Sequence, residues 1–134
     1  MSDEYGLHEI WRCKCLASLP LVTIIGDRAY PQHISEMQTP IFPCVSLYTL
    51  NDPPNFGMEK VMNGSYQMDG WAKDRQTAKN IQTVLATMFH RVNWSSDKVR
   101  IMQSFINNRG DIMFEDKVNI FHSYSIWNIR WFSI

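Results

Sequence analysis

The sequence has little of what would place the chain in several common protein classes. Its 134 residues include only three cysteines, an odd number that fits a reducing compartment better than a disulfide framework. Only six residues are glycine, and the spacing of a phosphate-cradling loop does not occur. The longest apolar run, residues 21–25, is far shorter than a membrane span, and no signal peptide is expected.

Charge of one sign is not in excess over the whole chain. The 13 basic and 13 acidic residues give a net charge of zero, so the sequence lacks the basic footprint of a general nucleic-acid binder. The halves differ, because residues 1–70 carry four bases and eight acids (net −4) and residues 71–134 carry nine bases and five acids (net +4). This asymmetry either lets one molecule stack its acidic face on a basic face of another, or reflects an uneven scatter without function.

The pattern of apolar residues predicts one α+β domain that spans residues 1–134. We expect a mostly antiparallel four-stranded sheet with two helices packed on it, in the order α-β-β-α-β-β. The expected elements are a helix over 5–18, strands over 41–50 and 58–73, a helix over 74–91, and strands over 98–106 and 117–132.

The second helix is the best defined of these elements. Its apolar stripe predicts that Ala78, Ile81, Leu85 and Phe89 face the sheet. Asp74 is expected to cap its N-terminus, since an Asp side chain accepts hydrogen bonds from first-turn amides.

Two local features of the sequence bear on whether the long strands are continuous or interrupted. Asn63-Gly64 is a hairpin signal, but the apolar alternation continues across the glycine and favours one long bent strand. In the last strand the apolar positions change from even to odd near Ile126, which predicts a β-bulge there.

No catalytic, cofactor or metal site is predicted. Cys13 and Cys15 lie close in sequence, but zinc needs four ligands, and the two side chains would point to different sides of a helix. Cys44 and His122 could meet in space as a nucleophile–base pair, although a single Cys and a single His are weak indications of such chemistry.

Large apolar side chains are frequent, with five tryptophans and eight methionines. Both residue types fill cores, and both are enriched at protein interfaces. The count therefore favours a chain that associates with copies of itself.

Several short segments resemble the tail-completion, or tail-terminator, proteins of long-tailed bacteriophages. The similarity begins with Ile25-Gly26-Asp27-Arg28-Ala29-Tyr30-Pro31, continues through Pro40 and Pro43-Cys44-Val45-Ser46-Leu47, and includes Met68-Asp69-Gly70-Trp71 before Ala78. The order of elements is similar over about residues 7–132, whereas residues 94–117 depart from the compact family pattern.

This resemblance implies a structural role without enzymatic activity. Proteins of that family form rings, typically hexamers, which end the tail tube and join it to the head connector. The implied partners are copies of the chain, the tail tube protein and a connector or stopper protein, with neither a specific nucleic-acid site nor a membrane. The implied location is the virion neck, after assembly in the host cytoplasm.

The loop of residues 51–60 is the predicted contact surface. Its apolar content is high for a surface loop, and its two prolines reduce the conformational freedom that docking would remove. A fold-back of its aromatic residue onto the chain's own core is the alternative. The predicted interface consists of four residues of this loop, Pro53, Pro54, Phe56 and Met58, together with Trp71 outside it.

Two other functions stay open at this point. A small cytoplasmic enzyme with a Cys or His active site would show a reactive thiol with a lowered pKa. A monomeric binding domain would stay monomeric and present a ligand groove.

Overall fold

The structure is a computed structural model that describes residues 4–30, 41–51, 54–55, 58–97, 99–110, 112–116 and 119–133. These residues contain three helices and eight strands. The helices are α1 (Glu4–Ala17), α2 (Leu19–Ile25) and α3 (Arg75–Phe89). The strands are β1 (Ala29–Tyr30), β2 (Cys44–Asn51), β3 (Pro54–Asn55), β4 (Met58–Ala72), β5 (Trp94–Ser95), β6 (Val99–Arg109), β7 (Met113–Glu115) and β8 (Ile120–Ser133).

All eight strands belong to one mixed sheet. The order is β1-β2-β4-β8-β6-β5, with β3 paired to β4 and β7 paired to β8. The sheet is mixed because β1 runs parallel to β2, with Ala29 opposite Val45 and Tyr30 opposite Ser46, whereas the other pairs are antiparallel.

The expected fold class is wrong. The four long strands and the two longer helices were anticipated, but the described residues add a third helix, one parallel strand and three further short strands, and the sheet curls into a half-barrel. Strands of two or three residues are too short to show an alternating pattern, so sequence periodicity could not reveal them.

The two longest strands form the centre of the sheet. β4 and β8 pair without a break from Val61 opposite Phe132 to Ala72 opposite Phe121. Asn63 and Gly64 lie inside this ladder, which confirms one long strand. A register change does occur at the predicted position, but the extra residue lies on the neighbouring strand and not on the last one. β8 pairs with β4 continuously through Ile126, whereas its pairing with β6 shifts between Ile106 opposite Trp127 and Asn108 opposite Ile126. A second shift follows Ile101 of β6.

Ser18 separates the first two helices, and a proline lies in the first turn of the second. α1 ends at Ala17, as Pro20 predicts, but Pro20 then occupies the first turn of α2, where its missing N–H is not needed. Ser18 caps that turn by accepting a hydrogen bond from the Leu21 amide. None of the described helices has the length and hydropathy of a membrane-crossing segment.

The segment that carries the family resemblance connects α2 to the sheet. Gly26 ends the helix at φ +62°, a backbone conformation that favours glycine. Arg28 then binds across to β2: its Nε donates to the carbonyl oxygen of Pro43 at 2.7 Å, and its own carbonyl accepts from the Val45 amide at 3.0 Å. The motif therefore fixes where the short parallel strand joins the sheet.

The main core lies between the helices and one face of the sheet, which we call the inner face. Ile81, Leu85 and Phe89 of α3 pack in it, and Ala78 is also buried, so the predicted orientation of α3 is confirmed. Asp74 caps α3 as expected, accepting from the Thr77 amide at 2.9 Å. Large inner-face side chains are Leu47, Tyr66, Met68, Trp127 and Trp131.

Candidate functional site

The opposite, outer face of the sheet carries a buried polar cluster. Side chains alternate along a strand, so neighbours of the inner-face residues point outward. Cross-strand pairing aligns Cys44, Trp71 and His122 in one row and Ser46, Asp69 and Tyr124 in the next. We call Asp69, Trp71, His122 and Glu115 the outer polar cluster.

Asp69 is the centre of this cluster, and its side chain is fully buried. Its Oδ1 accepts from Gln67 Nε2 at 2.8 Å and lies 3.1 Å from His122 Nε2. The Tyr48 hydroxyl also hydrogen-bonds to it, and burial, followed by the charge and hydrogen bond of Asp69, raises the pKa of Tyr48. Tyr48 therefore stays protonated near neutral pH and keeps donating to the carboxylate.

His122 lies between two carboxylates and against an indole ring. Its Nδ1 is 3.5 Å from Glu115 Oε1, on the side away from Asp69. Its ring stacks on Trp71 with centroids 3.9 Å apart and planes 3° apart, and the Trp71 N–H donates to Ser46 Oγ at 3.1 Å. These contacts join β2, β4, β7 and β8, so the cluster holds the strands in register.

The geometry does not bring Cys44 and His122 together as a catalytic pair. Each pairs with Trp71 from opposite sides, so they are two strand spacings, roughly 10 Å, apart. Burial, opposed in part by Arg28, raises the pKa of the Cys44 thiol to about 12, whereas a nucleophilic cysteine needs a lowered pKa. Of the other two cysteines, Cys13 is exposed and Cys15 is buried.

No group of three metal-binding side chains suited to hold an ion occurs among the residues that the structure describes. The outer polar cluster fits this finding, because its two carboxylates approach different nitrogens of one imidazole. The cluster is therefore an internal network of strand-to-strand contacts.

The predicted interface residues lie mostly outside the part of the chain that the structure describes. Pro53 and Phe56 are not described, and for Pro54 and Met58 only the backbone is placed, within β3 and at the start of β4. Trp71 is 4% exposed and packs within its own chain. The interface stays a prediction.

Exposed apolar side chains mark surfaces that the sequence pattern missed. Phe114 is 48% exposed and packs against Phe121, with centroids 5.0 Å apart, and Met113 beside it is 43% exposed. Both lie on β7, a three-residue strand without a recognisable pattern. The other exposed large apolar side chains among the described residues are Leu19, Ile41, Leu50 and Phe105.

A basic groove of about 260 Å³ lies where β6 ends beside the first turns of α3. Three cations line it: Arg75, Lys79 and Arg109. One wall is the contact between Gly110 and the Tyr124 ring, where a Cβ added to the glycine would lie 1.7 Å from a ring carbon. A larger residue there would displace the Tyr124 ring, so the shape of this wall depends on the glycine.

Comparison with known proteins gives one informative structural likeness. No family model and no curated protein matches the chain. Among solved structures, a chain of one titled "Virion of native gene transfer agent (GTA) particle" superposes with a TM-score of 0.72 over 96% of each chain, at 12% sequence identity. The chain therefore shares the fold of a component of that virion.

Proposed function

We propose that this chain is a structural protein of a phage-like virion, without enzymatic activity. The observation that carries the proposal is the shared fold with a chain of a gene transfer agent virion along nearly the whole length of both proteins. The resemblance to phage tail-completion proteins supports the same proposal independently, because that resemblance depends on short sequence motifs and not on the superposition of the two folds. One of them, around Gly26 and Arg28, positions the parallel strand of this fold.

The more specific proposal is that the chain forms a ring, a hexamer, at the end of the tail tube. There it stops tube polymerisation and joins the tail to the head connector, in the neck of the virion, after assembly in the host cytoplasm. Head-to-tail contacts between identical subunits close into a ring when the rotation between them allows. The exposed Met113 and Phe114 of β7 offer apolar area for such contacts.

The opposite net charges of the two halves suit a ring that stacks between two other rings. Complementary charge steers docking and disfavours wrong partners more than it adds affinity. Partners with one acidic and one basic surface would therefore approach this ring in a defined orientation.

A small Cys/His enzyme has less support. The Cys44 thiol is held protonated by burial, and Trp71 separates it from His122. A monomeric binding domain is the other alternative, and it predicts normal particles when the gene is deleted.

The test is deletion of the gene in the strain that makes the particles, with a plasmid copy as the complementation control. We expect electron micrographs of the deletion to show full heads separated from tails, and tails of uncontrolled length. The plasmid copy should restore joined particles of uniform tail length. Joined, infectious or transducing particles without the gene would refute a virion role, and tailless heads alone would refute the tail-end position.

A further inference from the structure

The basic groove has the chemistry of a binding site for an acidic polypeptide segment. Its three cations, Arg75, Lys79 and Arg109, come from α3 and from the end of β6, and no acidic side chain is among the described lining residues. Guanidinium and ammonium groups bind carboxylates through charge-assisted hydrogen bonds. The ligand should therefore present negatively charged oxygens.

The distribution of charge along the chain indicates where such a segment comes from. The described lining residues of the groove lie between positions 75 and 124, in the half with net charge +4, and residues 1–70 carry net charge −4. A contact between the basic half of one copy and the acidic half of the next is head-to-tail, the type that can close a ring.

We propose that this groove binds an acidic segment from the first half of a neighbouring copy of this chain. The inference rests on the proposed ring and assigns one of its contacts. Lys79 and Arg109 bind the carboxylates, and Arg75 adds positive charge beside them.

Charge reversal of the groove tests the proposal. We compare the wild-type protein with Lys79→Glu/Arg109→Glu and with Arg100→Glu, a control in which an exposed cation near β5 is reversed. Sedimentation at low and high salt measures self-association. Wild type and control should associate equally at low salt, and the double variant should associate about tenfold or more weakly, since reversed charges repel the segment.

A direct binding measurement separates the chemistry of the groove from ring formation. A labelled hexaglutamate peptide should bind the wild type and the Arg100→Glu control with similar affinity, and the double variant about tenfold more weakly. It should also bind the wild type more tightly than a hexaglutamine peptide does. Melting curves verify that each variant folds.

Each alternative outcome is informative. If wild type stays monomeric at low salt, or if the double variant associates normally, the assignment to a second copy is overturned. If a DNA duplex binds the groove more tightly than hexaglutamate, or if hexaglutamate does not bind, the acidic-peptide assignment is overturned. Either failure leaves the gene-deletion test of the virion role unaffected.

Discussion

Both faces of the sheet bury side chains, but by different means, and the outer face does so mainly around the outer polar cluster. The inner face packs apolar side chains such as Met68 and Trp127 against the helices. The outer face buries Asp69 and His122 in contact with one another and with Gln67 and Tyr48, but Asp69 Oδ2 and both His122 ring nitrogens make no hydrogen bond among the described residues. Apolar packing tolerates rearrangement within a similar volume, whereas a buried polar network is stable only when its members keep their partners.

Tryptophan shows the same contrast. On the inner face, Trp131 donates its N–H to the Tyr66 hydroxyl at 2.6 Å within a largely apolar core. On the outer face, Trp71 is held flat against His122 and donates to Ser46. Since Trp11, Trp71, Trp127 and Trp131 are buried in their own chain, the number of tryptophans alone gives no support to self-association.

The largest effect is expected on the inner face. Leu85→Ala removes a fully buried side chain of α3 and should lower the free energy of unfolding by about 2–5 kcal/mol, through lost transfer energy and a cavity. Urea unfolding followed by circular dichroism measures it. The control is Thr83→Ala on the exposed side of α3, for which we expect a change within about 0.5 kcal/mol. Equal midpoints for the two variants would contradict the assigned packing.

A smaller effect is expected on the outer face. His122→Phe keeps a flat ring to stack on Trp71 but removes the nitrogen beside the fully buried Asp69 carboxylate. Leaving a buried polar group without one of its partners costs about 1–3 kcal/mol, to be measured by the same urea unfolding. Glu115→Gln changes the more exposed partner of the same ring and should cost less. A larger loss for Glu115→Gln than for His122→Phe would show that Asp69 is not the centre of the network.

The two faces also differ in how far they could be predicted from the sequence. The stripe of α3 and the four long strands follow from apolar periodicity, which extends over enough residues to be recognised. The outer polar cluster could not be predicted, because Asp69, His122 and Glu115 meet only through the pairing of β4, β7 and β8. The bulge near Ile126 is predicted on the wrong strand for a related reason. β8 itself is regular, with outward-facing apolar residues up to Ile126 and inward-facing ones from Trp127 onward, and the extra residue lies on β6, whose pairing the sequence does not show.

High pH should weaken the outer face through Cys44. Burial raises the pKa of this thiol to about 12 in the folded state, against about 8.5 in an unfolded chain. The stabilisation is therefore complete below about pH 8.5 and is lost progressively as the pH rises towards the folded value. Between pH 8.5 and 10, Cys44→Ala should lose less stability than wild type in urea unfolding. Parallel losses would show that other groups dominate this range.

The smallest effect is expected at the start of α3, outside both faces. Hydrogen bonds from the Thr77 hydroxyl and amide lower the pKa of the exposed Asp74 carboxyl. Its stabilising contribution is thus present above the unfolded pKa of about 3.9 and is lost as the pH falls through the lower folded value. Asp74→Asn keeps a capping side chain without a titrating group, whereas Asp74→Ala removes the cap. Thermal melts at pH 7 and pH 2.5 should therefore show a smaller pH-dependent loss for Asp74→Asn than for wild type, and a lower melting temperature for Asp74→Ala at pH 7. If Asp74→Ala melts like wild type at pH 7, the cap contributes nothing measurable, and the stability of α3 depends on its packing against the inner face.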